Sequence, residues 1–244
     1  MTAAKTAHTK RRSRVLLAIE IVCLVVVAIC AVVLVREVGS YVADDNDFKA
    51  VTQSTGRDIS ALKAQNADCV GWISVADTRI DYPVMYTPQD PEYYLHRNFE
   101  KKDSRAGTPF LGAGSNPDDQ RTNSQIVYAH HMRDGSMFGE LEKFNDSKFL
   151  NEHSIEYTTL AGTASYQPIA AFYVDLSGGN VWEYWNSVGA LDERGFDTLV
   201  STAKQHSVAD ASASASYGDK LLMLSTCSYG TSEQRFVVLA KKMG

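Results

Sequence analysis

Hydrophobic positions along the chain fall into three regimes. Residues 15–35 are apolar apart from Glu20, with no polar face at any period. As a helix rising 1.5 Å per residue, such a run reaches about 31 Å, close to the hydrocarbon thickness of a bilayer. From 41 to about 67 the chain is polar, with Phe48, Val51, Ile59 and Leu62 loosely spaced, which predicts a helical segment. Beyond it, short β-branched or aromatic runs at 70–75, 80–86, 108–111 and 125–128 alternate with Gly, Pro or Asp. Short strands so punctuated predict a β-barrel or sandwich.

The pattern then becomes mixed. Phe138, Leu141 and Phe144 recur at helical spacing after the Asp134-Gly135 turn, and a second helical turn near Asp146 is expected to bury Phe149 and Leu150. Strands are expected at 154–160 and 167–174, with Pro168 at a strand start or edge. Residues 181–206 read as helical, with an apolar stripe at Phe196, Leu199, Val200 and Ala203. The Ser- and Ala-rich stretch 208–217 reads as a loop, and 221–224 and 236–240 are the two clearest strands.

Charge orients the apolar run. Lys5, Lys10, Arg11, Arg12 and Arg14 give residues 1–14 a charge of +5 in a chain of −5, so the rest carries −10. Bases before the run and Asp44, Asp45 and Asp47 after it predict a cytoplasmic N-terminus and an external body. The run exceeds a signal-peptide core and no small-x-small site follows it, which favours an uncleaved anchor. The expected order is a basic tail at 1–14, a transmembrane signal anchor at 15–35, a juxtamembrane helical segment at 36–66 and a globular domain at 67–244. An acidic body of this kind excludes a nucleic-acid footprint.

Cysteine usage narrows the chemistry. Cys23 and Cys30 lie inside the apolar run, leaving Cys69 and Cys227 outside. Two cysteines make no disulfide framework for a domain of this size, although a pairing between these two stays open. Cys227 closes one apolar run and Arg235 opens the next. Paired as a hairpin, the two would lie about 5 Å apart in backbone. A guanidinium beside a thiol favours the thiolate and can hold a developing oxyanion. A nucleophilic cysteine also needs a proton carrier. His130 and His131 end an apolar strand just before a turn, where scaffolds display catalytic groups.

At these residues the sequence resembles the class B sortases. The matching stretches are Leu224-Ser225-Thr226-Cys227 with Arg235-Phe236-Val237-Val238, and Tyr128-Ala129-His130-His131-Met132 with the following 134–138. Trp72, the stretch 80–84 and Tyr94-Leu95-His96-Arg97-Asn98 are similar too, so the resemblance covers about 65–243. Ala129 stands where the family usually has glycine.

The resemblance implies a mainly β fold: an eight-stranded sortase-like β-barrel with N-terminal helices and a helix in the long connection before the cysteine strand. It implies a cell-wall transpeptidase of a Gram-positive bacterium, anchored in the cell membrane with its catalytic domain outside. Cys227 would attack the Thr carbonyl of a C-terminal sorting signal on a surface protein. An amine of the peptidoglycan precursor lipid II, or a pilin lysine, would then resolve the thioacyl enzyme. His130 would be the acid and base, with His131 the adjacent alternative, and Arg235 would hold the oxyanion. Ser225 and Thr226 would line the groove beside the nucleophile, and Tyr184, Trp185 and Leu95 would wall it. No cofactor or metal is implied. The rival readings are a pilin-polymerising sortase, a hydrolytic cysteine protease, and a silent membrane-tethered binding domain.

Overall fold

The structure, a computed structural model, describes residues 19–33, 35, 39, 48, 51–52, 55–117, 119–179, 181–226 and 233–244, together with the backbone of Cys227. The chain divides into two compact units, Met1–Ala43 and Asp44–Gly244.

In the first unit, residues 19–33 form a helix (α1). Its Ile19, Leu24, Val27 and Val32 are all exposed, so the helix presents apolar side chains around its circumference. Among the described residues no helix is long and apolar enough to cross a membrane. The predicted span 15–35 extends beyond what is described at its start and at residue 34.

The second unit is built on eight strands: β1 (Cys69–Val75), β2 (Asp81–Met85), β3 (Phe110–Leu111), β4 (Ser124–Tyr128), β5 (Ile155–Thr159), β6 (Gly162–Asp175), β7 (Leu221–Cys227) and β8 (Gln234–Lys242). They close into a barrel in the order β1-β2-β3-β4-β7-β8-β6-β5. Closure leaves no open sheet edge, which suits strands as short as these. Most neighbours are antiparallel, but β2–β3 and β4–β7 run parallel. Two connections must therefore cross the barrel, and one of them, between β6 and β7, holds a helix. That helix, α4 (Glu193–His206), is capped by the Asp192 carboxylate, which accepts from the Gly195 amide at 2.8 Å. Phe196, Leu199, Val200 and Ala203 pack on Ile169, Phe172 and Leu239. Full burial of a side chain such as Phe196 stabilises by about 2 kcal/mol.

The segment before β1 packs on the barrel as well. Helix α2 (Ile59–Gln65) is capped by Asp58, and its Ile59 and Leu62 join Val51, Trp72, Met85 and Tyr94 in a second apolar cluster. Phe48 meets the Tyr82 ring edge-on at 5.2 Å. Helix α3 (Ser147–Glu152) starts on the Asp146 cap and buries Leu150 fully, with Phe149 half-buried.

Three expectations need correction. Residues 181–206 are not one helix: a 3-10 turn, Tyr184–Asn186, precedes α4. Between them Gly189 and Leu191 exchange hydrogen bonds with Ser124 and Asn123, which pulls the chain into an extended form. The helical pattern at 138–144 yields a 3-10 turn at Leu141–Asn145, entered through Met137 at a φ of 54°. Pro168 lies inside β6 rather than at an end, and the β6–β8 register shifts between Pro168 and Ala170. Such an irregularity is where a strand tolerates a residue without an N–H.

Candidate active site

Strand β7 carries Ser225, Thr226 and Cys227 at its end, and β8 returns from Gln234. Their antiparallel register sets Thr226 opposite Phe236 and Cys227 opposite Arg235. On its other side β7 runs parallel to β4, with Tyr128 beside Ser225 and the Ala129 amide donating to the Ser225 carbonyl at 3.3 Å. His130 lies two residues past Tyr128, and Cys227 lies two residues past Ser225. The two chains leave the sheet in the same direction, carrying the histidine and the cysteine to the same end of the barrel.

One groove of about 980 Å³ opens there, lined by Leu95, His130, Tyr184, Trp185, Ser225, Thr226 and Arg235. Every residue chosen from sequence for the substrate wall thus borders a single cavity. His131 does not border it; it forms an isolated bridge with Met137.

His130 is half-buried. Its Nε2 lies 2.8 Å from the Leu95 carbonyl, and its ring stacks on His96 with centroids 5.4 Å apart. Burial pushes its pKa below the ordinary histidine value, the bond to Leu95 pulls the other way, and His96 adds to the depression. Arg235 is half-buried, and its Nη1 donates to the Gln234 carbonyl at 3.4 Å.

Hydrogen bonding and ring packing tie the groove wall to β7. Tyr184 is 1% exposed and its hydroxyl shares a 2.8 Å hydrogen bond with Ser225 Oγ. Phe172, Trp182 and Trp185 meet the Tyr184 ring edge-on. Thr226 is buried, and its Oγ1 has no hydrogen-bond partner among the described residues. A buried hydroxyl without a partner costs about 1–3 kcal/mol, so a ligand group that satisfies it gains from doing so.

Sequence reasoning passed over Tyr128, Asp90 and Glu92, which also border the groove. Burial raises the Tyr128 pKa, Tyr184 and Glu92 add to the rise, and Arg235 opposes it. Tyr128 had a signal, since it ends the strand that delivers His130. The two acids had none, because they lie in a turn with no periodicity. Cys69 is a free thiol, 0% exposed, with Sγ 3.6 Å from the Gly71 carbonyl. Among the described residues no group of three or more His, Cys, Asp or Glu is placed to hold a metal ion.

No family model matches the chain. Sortase B of Listeria monocytogenes is 33% identical over 167 residues, which are 68% of this chain and 65% of that protein's length. A crystal structure of sortase B from B. anthracis in complex with AAEK1 is 30% identical, with a TM-score of 0.65 over 76% of this chain and 83% of that one. A Staphylococcus aureus sortase B–substrate complex is 23% identical, with a TM-score of 0.68 over 85% of this chain and 96% of that one.

Proposed function

The chain belongs to the class B sortases, and we propose on that premise that it is a membrane-anchored cysteine transpeptidase that joins surface proteins to an amine of the cell wall. The observation that carries this reading is the Cys227–Arg235 register pair at the end of the barrel where His130 leaves β4.

The chemistry follows from these groups. Neutral His130 takes the Cys227 proton, and the thiolate attacks the carbonyl carbon of the Thr in a sorting signal. The carbonyl π pair moves to oxygen, and the Arg235 guanidinium stabilises that oxyanion. As the oxyanion collapses, the C–N bond breaks and the imidazolium of His130 protonates the leaving amine. A thioacyl enzyme remains. An amine of lipid II then attacks it while His130 removes the amine's proton, and Cys227 leaves as thiolate to recover its proton from His130. Atoms and charge balance, with no cofactor. Ser225, Thr226, Tyr184, Trp185 and Leu95 form the wall along which the sorting peptide lies.

The anchor is the run 15–35, with residues 1–14 cytoplasmic and the domain at 67–244 outside the cell. What supports it is α1, whose apolar residues are exposed on every face. A helix apolar all round is stable in lipid or in a protein core, not in water.

The test is the full chain in detergent, offered sorting-signal peptides with and without an amine acceptor, with products identified by mass spectrometry. Transfer product that requires both Cys227 and the amine is the expected result. Hydrolysis alone would make the protein a cysteine protease, and no cleavage with no Cys227 adduct from a peptide vinyl sulfone would make it a silent domain. A pilin lysine accepted in preference to a lipid II peptide amine would make it a pilus polymerase.

A further inference from the structure

We infer that the main-chain carbonyl of Leu95 is the group that orients His130, that Gly107 and Tyr94 are positioning residues that hold this carbonyl, and that His130 moves protons through Nδ1. The inference rests on the reading of His130 as the acid and base of the proposed reaction.

A carbonyl oxygen only accepts hydrogen bonds, so the 2.8 Å contact with Leu95 requires the proton to sit on Nε2. A neutral imidazole has one N–H, which leaves the lone pair on Nδ1. The orienting role that a side-chain carboxylate or amide often fills is filled here by backbone. A backbone acceptor can do this only if its peptide is fixed, and the surroundings of Leu95 fix it on both sides.

On one side is Gly107, at a φ of +61°. A Cβ built there would lie 2.4 Å from the Leu95 oxygen and 2.6 Å from the Tyr94 oxygen. The absence of a side chain therefore lets the backbone of 107 lie directly against both carbonyls, and the next amide, of Thr108, donates to Tyr94 at 3.0 Å. On the other side the Tyr94 ring is fully buried. Its hydroxyl donates to Asp68 Oδ2 at 2.8 Å and accepts from Asn66 Nδ2 at 2.7 Å, and Asn66 Nδ2 also donates to the Phe99 carbonyl at 2.6 Å. Asn66 caps the end of α2, so the helix before the barrel anchors the segment that sets the histidine. The stacked His96 limits rotation of the ring. The charged groups bordering the same groove are Asp90, Glu92 and Arg235.

The experiment uses the full chain in detergent micelles with 15N-labelled histidine, His130 being assigned by the signal lost in His130→Gln. Above its pKa, wild-type His130 is expected to give the shift pattern of the Nε2–H tautomer. Gly107→Ala and Tyr94→Phe are expected to mix in the Nδ1–H form and to lower kcat by about tenfold to a hundredfold, as small misplacements of a catalytic group do. Tyr94→Phe keeps the buried ring, so it carries the test if Gly107→Ala does not fold. A wild-type Nδ1–H tautomer overturns the inference, and so do two folded variants with the wild-type tautomer. The tautomer is read in the resting protein, so its outcome is separate from whether transfer is detected.

Discussion

Cys227 and Arg235 face each other as the last pair of the β7–β8 ladder. Facing residues of antiparallel strands are about 5 Å apart in backbone. That makes Arg235 the cation nearest in register to the nucleophile. Removing one preorganised donor from an oxyanion site costs about 10² to 10³ in kcat. Arg235→Ala should show that loss in the transfer assay, and Arg235→Lys should recover little of it, because an ammonium lacks the planar fork. Cys227→Ala should have no turnover. Normal rates in Arg235→Ala would remove the arginine from the mechanism.

The depressed pKa of His130 links the site to stability. Burial is its main cause. An unfolded chain binds this proton near the ordinary histidine value of about 6.5, whereas the folded protein binds it only at lower pH. Between those two values the unfolded state holds more protons, so stability rises with pH across the window. Acidification through about 6.5 should therefore lower the Tm, and His130→Gln should lower it less over the same interval. The difference between the two proteins in thermal denaturation isolates this residue from the titrating carboxylates. Parallel pH curves for both would mean that folding leaves the histidine's pKa unshifted.

Much of this architecture was legible in the sequence, for identifiable reasons. Strands β7 and β8 are apolar runs bounded by polar loops, and a hairpin of that kind fixes which residue faces Cys227. The stripe from Phe196 to Ala203 marked α4, because a 3.6-residue period survives any context. Its start was misread because residues 187–191 pair with Asn123 and Ser124, more than sixty positions away, and no local pattern encodes such a partner. The same holds for the site. His130 follows a strand and Arg235 opens one, so both could be found, whereas the Leu95 carbonyl has no side-chain signature. The resemblance put His130 ahead of His131, and of the two only His130 borders the groove.

Cys69 should be chemically silent. It is enclosed by the cluster around Trp72 and Met85, and burial pushes its thiol up to about 11. Thiolate is the reactive form, so a thiol so placed reacts negligibly at neutral pH. Brief treatment of the native full chain with iodoacetamide, followed by peptide mapping, should find Cys69 unmodified and Cys227 modified. Addition of denaturant should expose Cys69. Rapid labelling of Cys69 under native conditions would show that the α2 side of the barrel opens.

The Tyr184–Ser225 hydrogen bond ties the connection before α4 to the strand that ends in Cys227. Both groups are buried, Ser225 completely. Tyr184→Phe leaves the serine hydroxyl without this partner, which should cost about 1–3 kcal/mol of stability. Ser225→Ala should cost a similar amount by removing the same bond from the other side. If the bond is the interaction that matters, the double variant should be less destabilised than the two losses added, with a coupling of about 1 kcal/mol or more. Chemical denaturation of the four proteins closes the cycle. The same four proteins separate wall from scaffold in the transfer assay. Loss of wall geometry should raise KM for the sorting peptide more than it lowers kcat, because the bond acts on substrate and transition state alike. Additive stabilities together with unchanged KM would reduce Tyr184 to a packing residue of the core.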